Sequence, residues 1–215
     1  MNTSRRARYR ITHETRYRYA ANVTLSQQLL HLQPRDMPYQ TCIAKKLTIS
    51  PEPSYSTSSQ DSFGNPCTRL EFNQPHRELV VIAEMDVDVF TRDVATRFET
   101  SPAWEEMVSA CLYRGHVALT GDFLEALPFR FESPFVHLKH QFSDYAQDCF
   151  FKDRPLLVAI QALMSKIYHE FTFDPEATHI GTPLLEVLEK KRGVCQDFAH
   201  LMLACLRSLG LPARY

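Results

Sequence analysis

Along the first twenty residues, Tyr9, Ile11, His13, Thr15, Tyr17 and Tyr19 alternate with Arg8, Arg10, Thr12, Glu14, Arg16 and Arg18. A period of two is that of a half-buried strand, here with one apolar or amphipathic face and one charged face. Strand-like runs recur at "SQQLLHLQ", "CIAKKLTIS" and "TRLEF". In "ELVVIAEMDVDVF", Leu79, Val81, Ala83, Met85, Val87 and Val89 alternate with a more polar set. The intervening "PEPS", "DSFGNP" and "FNQPH" carry the Pro, Gly and Asn that turns require. Strands of this length joined by such turns predict a small antiparallel sandwich ending near Phe90.

Beyond Ser101 the period changes. "SPAWEEMVSACLYR" offers Ser101 as N-cap, Pro102 at the first helical position and acids in the first turn. A second helix is predicted from about Pro155 to Phe171, with Leu156, Ile160, Leu163, Met164 and Ile167 on one face. A third starts at Thr182–Pro183 and stops before Gly193. The last runs from Cys195 to about Leu209, closed by Gly210 with Pro212 beyond. Cys195, Phe198, Met202, Cys205, Leu206 and Leu209 fall on one stripe of it. The stretch 115–154 shows no period that fixes its elements.

Composition narrows the class without naming a chemistry. The 215 residues are 44% apolar and 23% charged with a formal net charge of -1, so no bulk charge recruits nucleic acid or an acidic membrane. Six cysteines form no C-x-x-C pair, and "MNTSRRARYR" is not followed by an apolar segment of the export type, which together point to a cytoplasmic location. The longest apolar run, "LVVIA", is far too short to span a bilayer.

The candidate chemistry lies in "RGVCQDFAHL", residues 192–201. A thiol on the first turn of a helix meets unpaired N–H groups and the positive end of the dipole, both of which favour a thiolate. Lys190, Lys191 and Arg192 are expected to add positive potential. The competing reading is a buried structural cysteine, which is the favoured reading for Cys205 in the middle of the apolar stripe.

"GVCQDFAHLMLACLRSLGLPARY", with "THIGTPLLEVLEKKR" ahead of it, resembles the segment around the nucleophile of the bacterial transglutaminase-like family. "YRITHETRYRYAANVTLSQQLLHLQPR", "DSFGN" and "PHRELVVIAEMDVDV" resemble, in order, the N-terminal β domain that accompanies that core. The resemblance implies an α+β protein: an antiparallel β-sandwich-like domain over 1–92, a helical connecting segment over 93–152, and the N-terminal part of a papain-like core over 153–215. It implies acyl transfer by a Cys-His-Asp triad, in which the thiolate attacks a peptide or side-chain amide and the thioester passes its acyl group to an amine or to water. Cys195 alone maps onto that triad. In the family the histidine and aspartate lie on later strands, so the chain is expected to be a truncated core, inert by itself, with an uncovered apolar face open to self-association. The implied partner is a peptide or protein amide substrate, with no cofactor, no metal, no nucleic acid and no membrane.

The other residues of the site have humbler expectations. Gln196 is a candidate for supporting an oxyanion together with the Cys195 N–H. Asp197, about 200° around the helix from Cys195, is expected to bond neighbouring backbone rather than the thiol. His200, about 140° around, is expected to pack, while His169 and His179 are weaker candidates for a base. The pair His137 and His140 offers two ligands on one helical face but no third. The arginines of the first strand are read mainly as a solvated face, and Trp104 as a packing anchor. A different class of function, a binding or scaffold module with a vestigial core, competes with the enzyme.

Overall fold

A computed structural model describes residues 6–91, 97–112 and 121–215. Residues 1–5, the expected boundary at 92/93 and the Tyr113–Arg114 end of the first predicted helix lie outside those residues. The chain divides into two units, Met1–Val94 and Ala95–Tyr215.

Among the described residues the first unit holds six strands, β1 (Arg6–Val23), β2 (Ser26–Leu30), β3 (Gln40–Ser50), β4 (Tyr55–Gln60), β5 (Pro66–Phe72) and β6 (His76–Phe90). They form two antiparallel three-stranded sheets, in the orders β1-β6-β3 and β2-β5-β4. The alternation along β6 is realised: Leu79, Val81 and Ala83 are buried, and Leu79 and Val81 pack with Leu70 and Phe72 of β5. Burying Leu79 or Val81 is worth about 2 kcal/mol each. On β1 the expected apolar face is largely open, with Tyr9, Ile11 and Tyr17 exposed and Tyr19 packed on the core. β4 has no sequence signature, because "YSTSSQ" is exposed throughout and gains its place only by pairing with β5.

The arginine face of β1 is not a free cationic stripe. The register sets Arg8 opposite Asp88 and Arg10 opposite Asp86, and both pairs are bidentate, with Nε–Oδ1 distances of 2.8 Å. Arg16 and Arg18 share Glu78, and Arg6 also pairs with Asp88. The Arg8 guanidinium, reinforced by Arg6 and opposed by desolvation, holds the Asp88 carboxyl down at about 2. A carboxyl whose folded pKa lies below its unfolded value stabilises the fold above the unfolded value, about pH 4, and loses that contribution as pH falls toward 2. Asp88→Asn is therefore expected to flatten the acid limb of the unfolding midpoint, followed by circular dichroism between about pH 5 and pH 2. An unchanged slope over that range would refute the linkage.

Among the described residues the second unit is built on six α-helices: α1 (Trp104–Ala110), α2 (Asp122–Ala126), α3 (His140–Ala146), α4 (Leu156–Glu170), α5 (Leu184–Lys190) and α6 (Cys195–Ser208). Two short parallel strands, β7 (Thr172–Phe173) and β8 (Arg192–Gly193), link α4 to the entry of α6. Among the described residues no helix is long and apolar enough to cross a membrane.

Ser101 does not cap α1, which starts two residues later than expected, behind Ala103. Its hydroxyl donates to the Phe98 carbonyl at 2.7 Å and accepts from the Leu157 N–H at 3.0 Å, while the Pro102 carbonyl accepts from the Leu156 N–H at 2.8 Å. Ser101 and Pro102 thus close the first turn of α4, which has only Pro155 at its own cap position. Trp104 packs edge-on against Phe150 and donates its indole N–H to the Phe151 carbonyl. On α4 the buried positions are Ala159, Leu163 and Ile167; Met164, expected among them, lies on the flank and is exposed.

The core of this unit gathers around α6, whose Leu201, Ala204 and Cys205 are completely buried with Leu163 of α4, Val187 of α5 and Phe142 of α3. The stripe expected to lack a cover is therefore closed at Cys205 and Leu206, and half-buried at Phe198, Met202 and Leu209. Its C-terminus follows the stop signals. Gly210, at φ +88°, donates to the Arg207 carbonyl at 2.9 Å, and the Leu211 N–H reaches the Leu206 carbonyl at 3.0 Å. These two bonds form a Schellman motif, which glycine satisfies without strain.

Candidate active site

Cys195 is the first residue of α6, behind Val194 at the cap position, and it is exposed. The first intrahelical bond at this end runs from the Phe198 N–H to the Val194 carbonyl at 3.1 Å. The amides of Cys195, Gln196 and Asp197 precede it and have no carbonyl one turn back, so they are available to an anion beside the thiol. Gln196 is half-buried on the same turn.

What holds this turn in place is Asp197, which is 8% exposed. Its Oδ2 accepts from the Val194 N–H at 2.9 Å and from the Thr178 hydroxyl at 2.6 Å. This is the reciprocal half of a capping box, an acid at the third helical position reaching back to the cap amide. Valine has no oxygen to complete the other half. The expectation that Asp197 bonds neighbouring backbone agrees with this geometry. Thr178 lies nineteen residues upstream in the loop before α5, and no local pattern announces its bond.

The same carboxylate explains Gly193. A Cβ built there would sit 2.6 Å from Asp197 Oδ2 and 3.1 Å from its Cβ. The glycine is required by close approach and not by an unusual φ. Its carbonyl accepts from the Asp174 N–H at 2.8 Å, and the Lys191 carbonyl accepts from the Thr172 N–H at 2.9 Å. The β7–β8 pairing therefore delivers "RGVC" to the helix on a fixed track.

The positive potential expected from the preceding basic run is locally neutralised. Lys190 pairs with Glu186, Lys191 with Glu170, and Arg192 with Asp174 at 3.0 Å. The helix end, more than these side chains, is what distinguishes the environment of Cys195. Cys205 is completely buried, and burial raises its thiol to about 12.

No hydrogen bond reaches the Cys195 thiol among the described residues. The three histidines weighed as a base are engaged elsewhere. His169 Nδ1 lies 2.7 Å from the Ser165 carbonyl, and His179 Nδ1 accepts from the Gly181 N–H at 3.2 Å. His200 stacks on Phe135 at 5.9 Å and meets Tyr215 edge-on. Burial lowers the His200 pKa, with Asp197 opposing the shift and Arg207 adding to it. Arg207, unremarked in the sequence, is 7% exposed and ties α6 to the carbonyls of Phe131 and Ala213 and to the Ser133 hydroxyl. His137 precedes α3 while His140 opens it, so the pair does not share a helical face as expected; His137 lies 3.9 Å from Glu132.

Comparison with known proteins bears on both units. Residues 9–88 match the model of the bacterial transglutaminase-like N-terminal region, and residues 143–215 that of the transglutaminase-like superfamily core. Uncharacterized proteins of Mycobacterium bovis and Mycobacterium tuberculosis are 36% identical over 211 residues, which is 97% of this chain and 64% of theirs. A Mycobacterium leprae protein is 29% identical over 208 residues, covering 97% of this chain and 69% of its own. The chain thus spans 64% of the length of the first of these relatives. A crystal structure from Cytophaga hutchinsonii, provisionally named a cysteine protease, has the same fold, with a TM-score of 0.71 at 19% identity over 97% of this chain and 67% of that one.

Proposed function

Because the chain belongs to the transglutaminase-like family and carries both its bacterial N-terminal region and its core segment, we propose that Cys195 is the nucleophile of a thiol acyl-transfer enzyme. The single observation that carries this reading is an exposed thiol at the first position of a helix whose start is pinned by a buried carboxylate. The substrate is a peptide or side-chain amide. The Cys195 sulfur attacks the carbonyl carbon, the C–N bond breaks, and the nitrogen leaves as ammonia or an amine after taking a proton. The resulting thioester is opened by water or by a second amine, which gives a protease, a deamidase or a crosslinker.

The Cys195 N–H and Gln196 support the oxyanion in this scheme, because the leading end of α6 presents its free amides to charge developing beside the sulfur. Asp197 is a positioning residue that acts through the Val194 amide. The general base is an imidazole other than His169, His179 and His200, since those three are held by local bonds or stacking. In this reading the base and its carboxylate come from strands that follow the core helix, as the family resemblance implies.

The proposal is tested by alkylation. With the folded chain under iodoacetamide near neutral pH, Cys195 should react at least about tenfold faster than Cys205, read by mass spectrometry of the cysteine peptides. Equal rates in folded protein would remove the activated thiol and the enzyme with it.

A further inference from the structure

The N-terminal unit brings together three side chains of ligand chemistry that the thiol reaction does not use. We propose that His31, Asp61 and Cys67 form a binding site for a divalent transition metal of the zinc type. Their donor atoms all lie within 4.8 Å of one another. Cys67 Sγ is 3.4 Å from His31 Nδ1 and 3.9 Å from Nε2. A tetrahedral ion with Zn–N near 2.0 Å and Zn–S near 2.3 Å sets its ligand atoms about 3.3–3.8 Å apart, so the sulfur and imidazole already stand at ligand spacing.

Strand register produces this juxtaposition. β2 and β5 pair up to Leu30 opposite Thr68, so the next opposed pair is His31 and Cys67. Asp61 comes from the β4–β5 hairpin, where Oδ1 accepts from the N–H groups of Phe63 and Asn65 at 2.8 Å and Oδ2 accepts from the Asn65 amide at 2.8 Å. Those bonds fix the carboxylate and leave Oδ2 a lone pair for an ion. A ligating group oriented by further hydrogen bonds is the usual support of a metal site.

The donor set of thiolate, imidazole and carboxylate suits zinc and its neighbours rather than magnesium or calcium. Binding replaces the Cys67 S–H bond with a metal–sulfur bond and releases the proton to solvent. Three protein ligands leave a fourth position free, the arrangement of sites that bind water or a small ligand rather than of closed structural sites. Cys67 also lines a cavity of about 940 Å³ whose wall includes Arg35, Asp36, Cys42 and Lys45, giving such a ligand room on the side of the sulfur.

Co2+ titration of the metal-free full chain tests the site through the thiolate-to-cobalt charge-transfer band and the d–d bands of tetrahedral cobalt. The expected result is one Co2+ per chain with both signatures, displaced by Zn2+. Cys67→Ser should lose the charge-transfer band, His31→Gln should weaken binding at least roughly tenfold, and Cys195→Ser should leave both unchanged. His31 is exposed, so its variant keeps the test decisive even where Cys67→Ser misfolds. Absence of a thiolate band, a band that survives His31→Gln at full affinity, or binding abolished instead by His137→Gln would overturn the site.

Discussion

On the proposed reading, replacing Cys195 with serine is expected to reduce amide turnover by the whole protein on the order of 10⁶-fold, the scale on which loss of a catalytic nucleophile acts in a unit of coupled residues. The hydroxyl that takes its place is a far poorer nucleophile near neutral pH, and the free amides of the first α6 turn cannot activate it without a matched base. Stability should hardly change, because the side chain is exposed and makes no hydrogen bond among the described residues. The measurement is kcat with a peptide or glutamine amide in parallel with the unfolding midpoint. Turnover that survives the exchange would move the chemistry to another residue. A matched fall in the unfolding midpoint would assign the loss to folding.

Gly193→Ala is expected to lower stability by about 3 kcal/mol and to slow alkylation of Cys195. The new Cβ would fall 2.6 Å from Asp197 Oδ2, 3.1 Å from its Cβ and 3.2 Å from its Cγ. Aspartate is too short to give way at its tip alone. Either β8 shifts off β7, or the carboxylate leaves the Val194 amide and the Thr178 hydroxyl. Overpacking typically costs about 1–3 kcal/mol, and leaving a buried charged acceptor without its donors adds a similar amount. The thermal midpoint should drop by roughly 5–10 °C, with the alkylation rate of Cys195 falling in the native range. An unaltered midpoint would mean that Asp197 does not organise this turn.

The sequence made the thiol legible because its signals are local. Gly193, Cys195, the apolar stripe and Gly210 lie within eighteen positions, and α6 obeys them at both ends. The long strands β1 and β6 were legible for the same reason, since period-two alternation needs no distant partner. β4 was not, because an edge strand of serines and threonines buries nothing and is defined only by its neighbour.

Charge and capping failed where the partners are far apart in sequence. Ser101 serves Leu157, fifty-six residues on, so its local pattern suggested the wrong helix. Glu170 and Asp174 neutralise Lys191 and Arg192 across the β7–β8 pairing, and Asp86 and Asp88 do the same for the arginines of β1. Likewise, the opposition of His31 and Cys67 exists only once β2 and β5 are aligned.

The borrowed cap on α4 ties two distant stretches of chain into one mechanical joint. Ser101 and Pro102 seal the helix from outside, and that helix carries Leu163 and Ile167 into the packing beneath α6. A cap is worth about 1 kcal/mol, small beside the core but placed at a fulcrum. Pulling the segment ahead of Trp104 therefore unlatches the floor on which the sulfur-bearing helix rests, without touching any residue near the sulfur.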